Sequence, residues 1–187
     1  MPEVSFIVPA FNEERLLDGT LQAIVRAASS IPAVNRRQVA ATRNAGARAA
    51  AGKFLIFVDA DTKVTQQVVR AAVAAMRKGA VGGGCTVQFE GRLPLYGRIL
   101  IALLSPVYRS LGLAAGCFLF CTREAFEAAG GFDESIFAAE EAFLSWALHR
   151  QGWFIILRER VVTSGRKLRA YSGREILGGL LRVAVGG

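Results

Sequence analysis

The chain has 187 residues, 52% of them hydrophobic, and carries 23 Lys and Arg against 15 Asp and Glu, a net charge of +8. That length buries one good core, as a single domain or as two small abutting lobes, and the positive balance favours polyanions such as nucleic acid, phosphate ligands or anionic lipid. No run reaches the ~18 apolar residues of a membrane-crossing helix; a single histidine, His149, excludes a histidine-rich metal site; and Cys85, Cys117 and Cys121, odd in number and set in apolar segments, read as buried thiols of a reducing compartment.

Taken in chain order, Val4 to Pro9 reads as a first strand, entered directly from the N-terminus with no signal-peptide pattern, which favours a cytoplasmic location. Asn12 is a good N-cap, with Glu13 and Glu14 in the first turn and Leu17, Leu21, Ile24 and Ala28 on one face of a helix. A second helix is expected over Ala40–Ala51, closed by Gly52 as a C′ glycine. Phe54 to Val58 is a strand, and a third helix with Val69, Val73 and Met76 inward ends at Gly79. Ala80–Val87 reads as a strand loosened by Gly82-Gly83-Gly84, and residues 94–111 as a helix broken near Pro106. Cys117–Cys121 is a strand, Arg123–Ala129 a short helix closed by Gly130-Gly131, Ala139–Gln151 a further helix closed by Gly152, and Phe154–Thr163 a last strand. Strands alternating with helices at this spacing give an α/β sandwich with a mainly parallel sheet.

One unit is short. An α/β chain needs a strand between its first two helices, but Ser30 to Thr42 offers only Ile-Pro-Ala-Val-Asn-Arg-Arg-Gln-Val-Ala-Ala. The expectation is that a segment is missing around residues 31–38.

The most informative stretch is Phe54-Leu-Ile-Phe-Val-Asp59-Ala60-Asp61. Five apolar residues in a row describe a strand buried on both faces, and it ends in two carboxylates one residue apart. Alternation along a strand lets Asp59 and Asp61 point the same way, at the carboxyl end where open α/β sheets bind ligands. Two hard oxygen donors there suit a divalent cation that keeps some waters and shares a substrate's phosphates. The plainer reading makes Asp59 a helix cap and Asp61 a turn residue.

Five motifs in this order resemble the family 2 glycosyltransferases of the GT-A fold, which use nucleotide-sugar donors. They are Val8-Pro9-Ala10-Phe11-Asn12-Glu13, Arg43-Asn44-Ala45-Gly46, Asp59-Ala60-Asp61, Gly130-Gly131-Phe132-Asp133-Glu134, and Glu140-Glu141 with Arg150 and Gly152 beyond. The resemblance runs from Val4 to about Gly165. It implies a GT-A-like, Rossmann-like α/β/α sandwich with a mainly parallel, mixed central sheet. It also implies one catalytic domain over 1–187, with a donor-binding half to about 90 and an acceptor-binding half beyond.

By the same resemblance, Pro9, Phe11, Asn12 and Glu13 meet the nucleoside. Arg43, Asn44 and Gly46 lie near the base and diphosphate, where a guanidinium binds phosphate with a forked geometry. Asp59 faces the ribose or the metal, Ala60 lies between the two donors, and Asp61 ligates Mn²⁺ or Mg²⁺ bridging the diphosphate. The second acid of the Glu140-Glu141 pair is the general base for the acceptor hydroxyl, although the usual pair is Glu-Asp, so the choice between Glu140 and Glu141 stays open. Two departures stand out: the nucleobase-contacting strand falls where the chain is short, and no late histidine offers a metal ligand. Arg166 and Lys167 occupy that region instead, either neutralising the diphosphate or forming a solvated loop.

The reaction implied is transfer of a sugar from a nucleoside diphosphate sugar, a UDP-sugar in the first place, to an acceptor hydroxyl with inversion. A sugar-nucleotide nucleotidyltransferase is the rival enzyme, but its glycine-rich basic first loop is absent after Val8. A non-catalytic binder of anionic membrane or nucleic acid would explain the charge, yet not two placed acidic pairs, and no aromatic-rich strand suggests nucleic acid as a partner. Residues 95–113, apolar with Arg98 and Arg109 interleaved, read either as a helix buried between lobes or as one lying on the cytoplasmic face of a membrane near a lipid-linked acceptor. The greasy Ile176–Val185 stretch raises the same question.

Overall fold

The structure, a computed structural model, describes residues 3–9, 38–136 and 140–166. At its centre is the apolar run, now strand β2 (Phe54–Val58), with all five residues buried. Phe54, Ile56 and Val58 enter one core while Leu55 and Phe57 enter another, so the strand is covered on both faces as the unbroken apolar run predicts.

Strand β1 (Val4–Ile7) runs parallel to β2 in the register Val4↔Phe54, which brings Pro9 and Asp59 to the same end of the sheet. On the other side β5 (Phe118–Thr122) pairs antiparallel with β2 and with β4 (Gly82–Glu90). Strand β6 (Phe154–Ser164) runs parallel to β4, with a register shift between Cys85 and Thr86, and the two-residue β3 (Thr62–Lys63) closes the far edge. The order is β1-β2-β5-β4-β6-β3.

Helix α1 (Val39–Ala49) covers one face together with α4 (Arg123–Ala128) and α5 (Glu140–His149). Their Ala40, Ala47, Phe126, Leu144 and Leu148 meet Leu55, Phe57, Leu119 and Cys121 of the sheet. Helix α2 (Gln66–Arg77) covers the other, burying Val68, Val69, Ala72, Ala75 and Met76. Thr65 caps α2 by accepting the Val68 N–H, and Gly79, at φ 100°, follows its end. The expected α/β/α sandwich with a mixed sheet is therefore what forms. The remaining helix among the described residues, α3 (Leu95–Ser110), lies alongside the cavity described below.

Several local expectations change. Gly52 does not end α1 in a left-handed turn. The Arg123 guanidinium donates to the Gly52, Ala47 and Ala50 carbonyls instead, satisfying the chain end that a C′ glycine would otherwise close. Gly52 is small because a Cβ there would stand 2.7 Å from the Ser5 backbone nitrogen. The Gly82-Gly83-Gly84 triplet is not a loosening element: a Cβ on Gly83 would fall 2.1 Å from the Ile155 carbonyl, and one on Gly84 2.8 Å from the Ala114 methyl. Helix α3 continues through Pro106 rather than breaking there. The first helix after Asn12, the suspected gap around 31–38 apart from Gln38, Ala139 and the Ile176–Val185 stretch lie outside the described residues.

Candidate functional site

At the carboxyl end of β2 a cavity of about 860 Å³ opens between the sheet and α3. Asp59, Asp61, Gly116, Cys117, Tyr108 and Glu141 are among the residues that line it. Its size suits a ligand larger than a single sugar ring. The chain places Asp59 there because β2 ends at Val58 and the Asp59 N–H is held by the Cys117 carbonyl, 3.3 Å away. Asp61 sits one turn on, where its carbonyl accepts the Ser164 N–H from the end of β6.

Beneath the carboxylates lies Arg43, buried on the α1 face that points at β2. Nη2 donates to Asp59 Oδ1 and to the Gly116 carbonyl, and Nη1 to Glu140 Oε1, each at 2.8 Å. The guanidinium carbon stands 5.1 Å from the centre of the Phe132 ring, while Nε is buried with no hydrogen-bond partner among the described residues. Burial alone would lower the affinity of this guanidinium for its proton; Asp59, Glu141 and Glu140 more than offset that, and its pKa is raised. One cation thus ties the end of β2, the turn before β5 and the start of α5 together.

Asn44 makes the adjoining tie. Its amide donates to the Phe132 carbonyl and to Glu134 Oε1, and its carbonyl accepts the Phe132 N–H at 2.9 Å. A Cβ on Gly131 would sit 2.8 Å from Asn44 Oδ1, so the glycine pair lets the turn close onto α1. Phe132 then packs edge-on against Phe57.

The acidic pair at the head of α5 divides. Glu140 is 8% exposed and bound to Arg43, whereas Glu141 lines the cavity. Removal from water pushes the Glu141 carboxyl up to about 7, with Glu140 and Asp59 adding to the rise and Arg43 opposing it. Close packing fixes its place: a Cβ on Gly116 would approach Glu141 Oε1 to 3.3 Å and Arg43 Nη2 to 3.4 Å. The Glu141 carbonyl accepts from Ser145 Oγ, which in turn accepts the Ala114 N–H. Tyr108 of α3 faces the same cavity, its hydroxyl pKa raised by burial and then by Glu141.

Asp61 accepts from Thr163 Oγ1 at 3.4 Å, and the Arg166 guanidinium reaches to 3.9 Å from its other oxygen. Asp59 and Asp61 together offer two carboxylates to one cavity, a donor set that fits a hard divalent cation completing its shell with water and phosphate oxygens. Among the described residues no cluster of three or more acidic, histidine or cysteine side chains forms a self-sufficient metal cage.

The sequence-derived residues distribute unevenly. Asp59, Asp61 and Glu141 converge on the cavity. Arg43 and Asn44 are interior: the terminal nitrogens of Arg43 and the side-chain amide of Asn44 are engaged by protein, and Arg43 here is a buried strut. Gly46 packs against Ile7, where a Cβ would stand 2.5 Å away, so the close approach of α1 to β1 by itself calls for a glycine there. Ala60 is 4% exposed and belongs to the core beside Val58 and Val64. Pro9 is half-buried at the carboxyl end of β1, and Phe11, Asn12, Glu13 and Lys167 lie outside the described residues. Gly116, Tyr108 and Thr163 had no motif to announce them.

A model of the glycosyl transferase family 2 matches residues 31–129, more than half of the chain. No curated protein matches. Among solved structures, S. aureus TarS 1–349 in complex with UDP aligns with a TM-score of 0.67 at 15% identity, over 87% of this chain and 60% of that one. TarS 1–349 in complex with UDP-GlcNAc gives 0.66 at 13% identity, over 87% and 58%. The mannosyltransferase PcManGT from Pyrobaculum calidifontis, in complex with GDP-Man and Mn²⁺, gives 0.67 at 19% identity, over 86% and 56%. The chain therefore spans about 60% of the length of these structures. These likenesses carry the fold, and with the family model they lead to one conclusion: the chain belongs to glycosyl transferase family 2.

Proposed function

We propose that this protein transfers a sugar from a nucleoside diphosphate sugar to an acceptor hydroxyl, with inversion at the anomeric carbon. The observation that carries the reading is the position of Glu141: it lines the same cavity as Asp59 and Asp61 and holds its proton to about pH 7. A base with that proton affinity is well matched to neutral pH, where it is half available yet still strong. In the proposed step Glu141 takes the acceptor hydroxyl's proton while that oxygen bonds to the anomeric carbon. The bond from that carbon to the diphosphate breaks on the opposite side, through a transition state of oxocarbenium character.

Asp61, with Asp59 beside it, would hold Mn²⁺ or Mg²⁺. The cation would supply positive charge for the leaving diphosphate. Arg43 acts here by position, keeping Asp59 and Glu140 in place and leaving Glu141 to face the acceptor. The donor lies in the half up to about residue 90 and the acceptor in the half beyond. A UDP-sugar is the donor of choice, since two of the similar structures hold UDP or UDP-GlcNAc; the third, with GDP-Man, makes GDP the next base to test.

The test is the melting temperature with UDP, GDP or CDP, each with and without Mn²⁺. A ligand that binds only the folded state must raise it. A metal-dependent rise with one nucleotide, absent in Asp61→Ala, is expected. No rise with any nucleotide would sink the reading.

A further inference from the structure

Helix α3 carries two apolar faces. One, through Leu100, Ile101 and Tyr108, lines the cavity. The other is turned to solvent: Leu95, Ile99, Leu103 and Val107 recur every fourth residue, Leu111 continues the row past the helix end, and all are 47–70% exposed. Isolated exposed apolar side chains are ordinary, but a continuous row over four turns marks a surface that something covers. Its charge says what. From Gly91 to Gly116 the chain has no acidic residue, and its charged side chains are Arg92, Arg98 and Arg109, all exposed. At 3.6 residues per turn, Arg98 lies about 60° from Leu95 and so flanks the start of the apolar row, with Arg92 just ahead of the helix, whereas Arg109 turns towards the cavity that it helps to line.

We propose that this face of α3 docks on an anionic lipid bilayer. The row would sink to the boundary between headgroups and acyl chains, and Arg92 and Arg98 would reach the lipid phosphates. The helix would lie in the surface rather than cross it, since no helix among the described residues is long and apolar enough to span. Two other occupants fit less well. A second copy would bring Arg92 and Arg98 against their own like charges. Residues 167–187 carry Lys167, Arg169, Arg174 and Arg182 against Glu175 alone, so they too repel this flank, whereas an anionic surface attracts both. Docking does not depend on the transfer chemistry. If that reading holds as well, an acceptor with an apolar tail in the bilayer would reach the cavity along the same helix.

The experiment is co-sedimentation of the protein with vesicles of phosphatidylcholine alone or mixed with phosphatidylglycerol. Binding to the mixed vesicles, weakened by salt, is expected, falling about tenfold or more in Ile99→Asp/Leu103→Asp. Arg98→Glu, which leaves the row intact, should lower binding several-fold and flatten its salt dependence. Neither variant alters a cavity-lining side chain, so the nucleotide-induced melting shift should persist in both, which separates failure of docking from failure of the donor site. Equal binding to neutral and anionic vesicles would overturn the proposal, as would full binding by the double variant. A wild-type dimer that the double variant converts to monomer would do the same, by assigning the row to a second copy.

Discussion

Arg43 and Glu140 stand 97 positions apart in the chain and are joined by a 2.8 Å hydrogen bond in the interior. Through its other terminal nitrogen the same guanidinium holds Asp59. One side chain on α1 therefore sets the distance between the strand-end carboxylates and the head of α5. Misplacing it moves both ends of the cavity at once.

Replacing that side chain leaves two carboxylates without their cation. Breaking a buried pair by removing one partner costs about 3–5 kcal/mol. Arg43→Met should lose stability on that scale in urea unfolding, and Arg43→Met/Glu140→Gln should recover part of it by removing one orphaned charge. A loss under about 1 kcal/mol in the single variant would mean that the cluster relaxes into water.

The raised Glu141 carboxyl predicts a pH dependence in two observables. Because the base must be ionised to act, kcat/KM should climb with pH and level off above about 7. Glu141→Gln should lower the plateau about 10²–10⁴-fold and abolish the limb. Stability moves the other way. The folded protein keeps the proton to about pH 7, while an unfolded glutamate releases it near 4.5, so stability falls as pH rises through that window. Glu141→Gln should remove that fall, which denaturant melts at pH 5 and pH 8 would reveal.

Gly116→Ala tests positioning without touching a charge. The added methyl would crowd Glu141 and Arg43 at 3.2–3.4 Å, displacing the carboxyl by a few tenths of an ångström. Activity should fall roughly ten- to a hundredfold, since small misplacements of a reacting group are costly. The nucleotide-induced rise in melting temperature should stay, because Asp59 and Asp61 are not moved directly. An unchanged kcat would show that the cavity tolerates the shift.

Gly83→Ala addresses the sheet. Its methyl would collide with the Ile155 carbonyl at 2.1 Å and the Phe120 ring at 2.5 Å, and neither neighbour can swing away. Overpacking of this kind costs at least about 1–3 kcal/mol. Unfolding of the variant should show it, and a neutral result would mean that β4 and β6 separate more easily than their pairing suggests.

How far the sequence reached follows from which signals are local. The buried strand Phe54–Val58 and the acids after it were legible because an apolar run and its abrupt end are written in consecutive residues. The helices over 39–49, 66–77 and 140–149 were legible from their periodicity and boundaries. The direction of β5 was not, since nothing in Phe118–Thr122 distinguishes a strand that pairs antiparallel with two neighbours from one that pairs parallel. Arg43 was found without its partners: an arginine beside a glycine suggests a phosphate, and only the tertiary structure brings Asp59, Gly116 and Glu140 around it. Gly52 and Gly82–Gly84 were misread for a similar reason. A glycine shows that room is needed without showing whether backbone freedom or a neighbour requires it.

The chain's three cysteines, Cys85, Cys117 and Cys121, are all buried. Burial raises each thiol's pKa, that of Cys85 to about 12. Only a thiolate attacks an alkylating reagent quickly, so in the closed protein all three should react slowly at neutral pH. Their labelling rates then act as built-in clocks. Cys121, fully enclosed in β5, times the opening of the sheet itself. Cys85 and Cys117 face the cavity, and their labelling should slow whenever a ligand fills it.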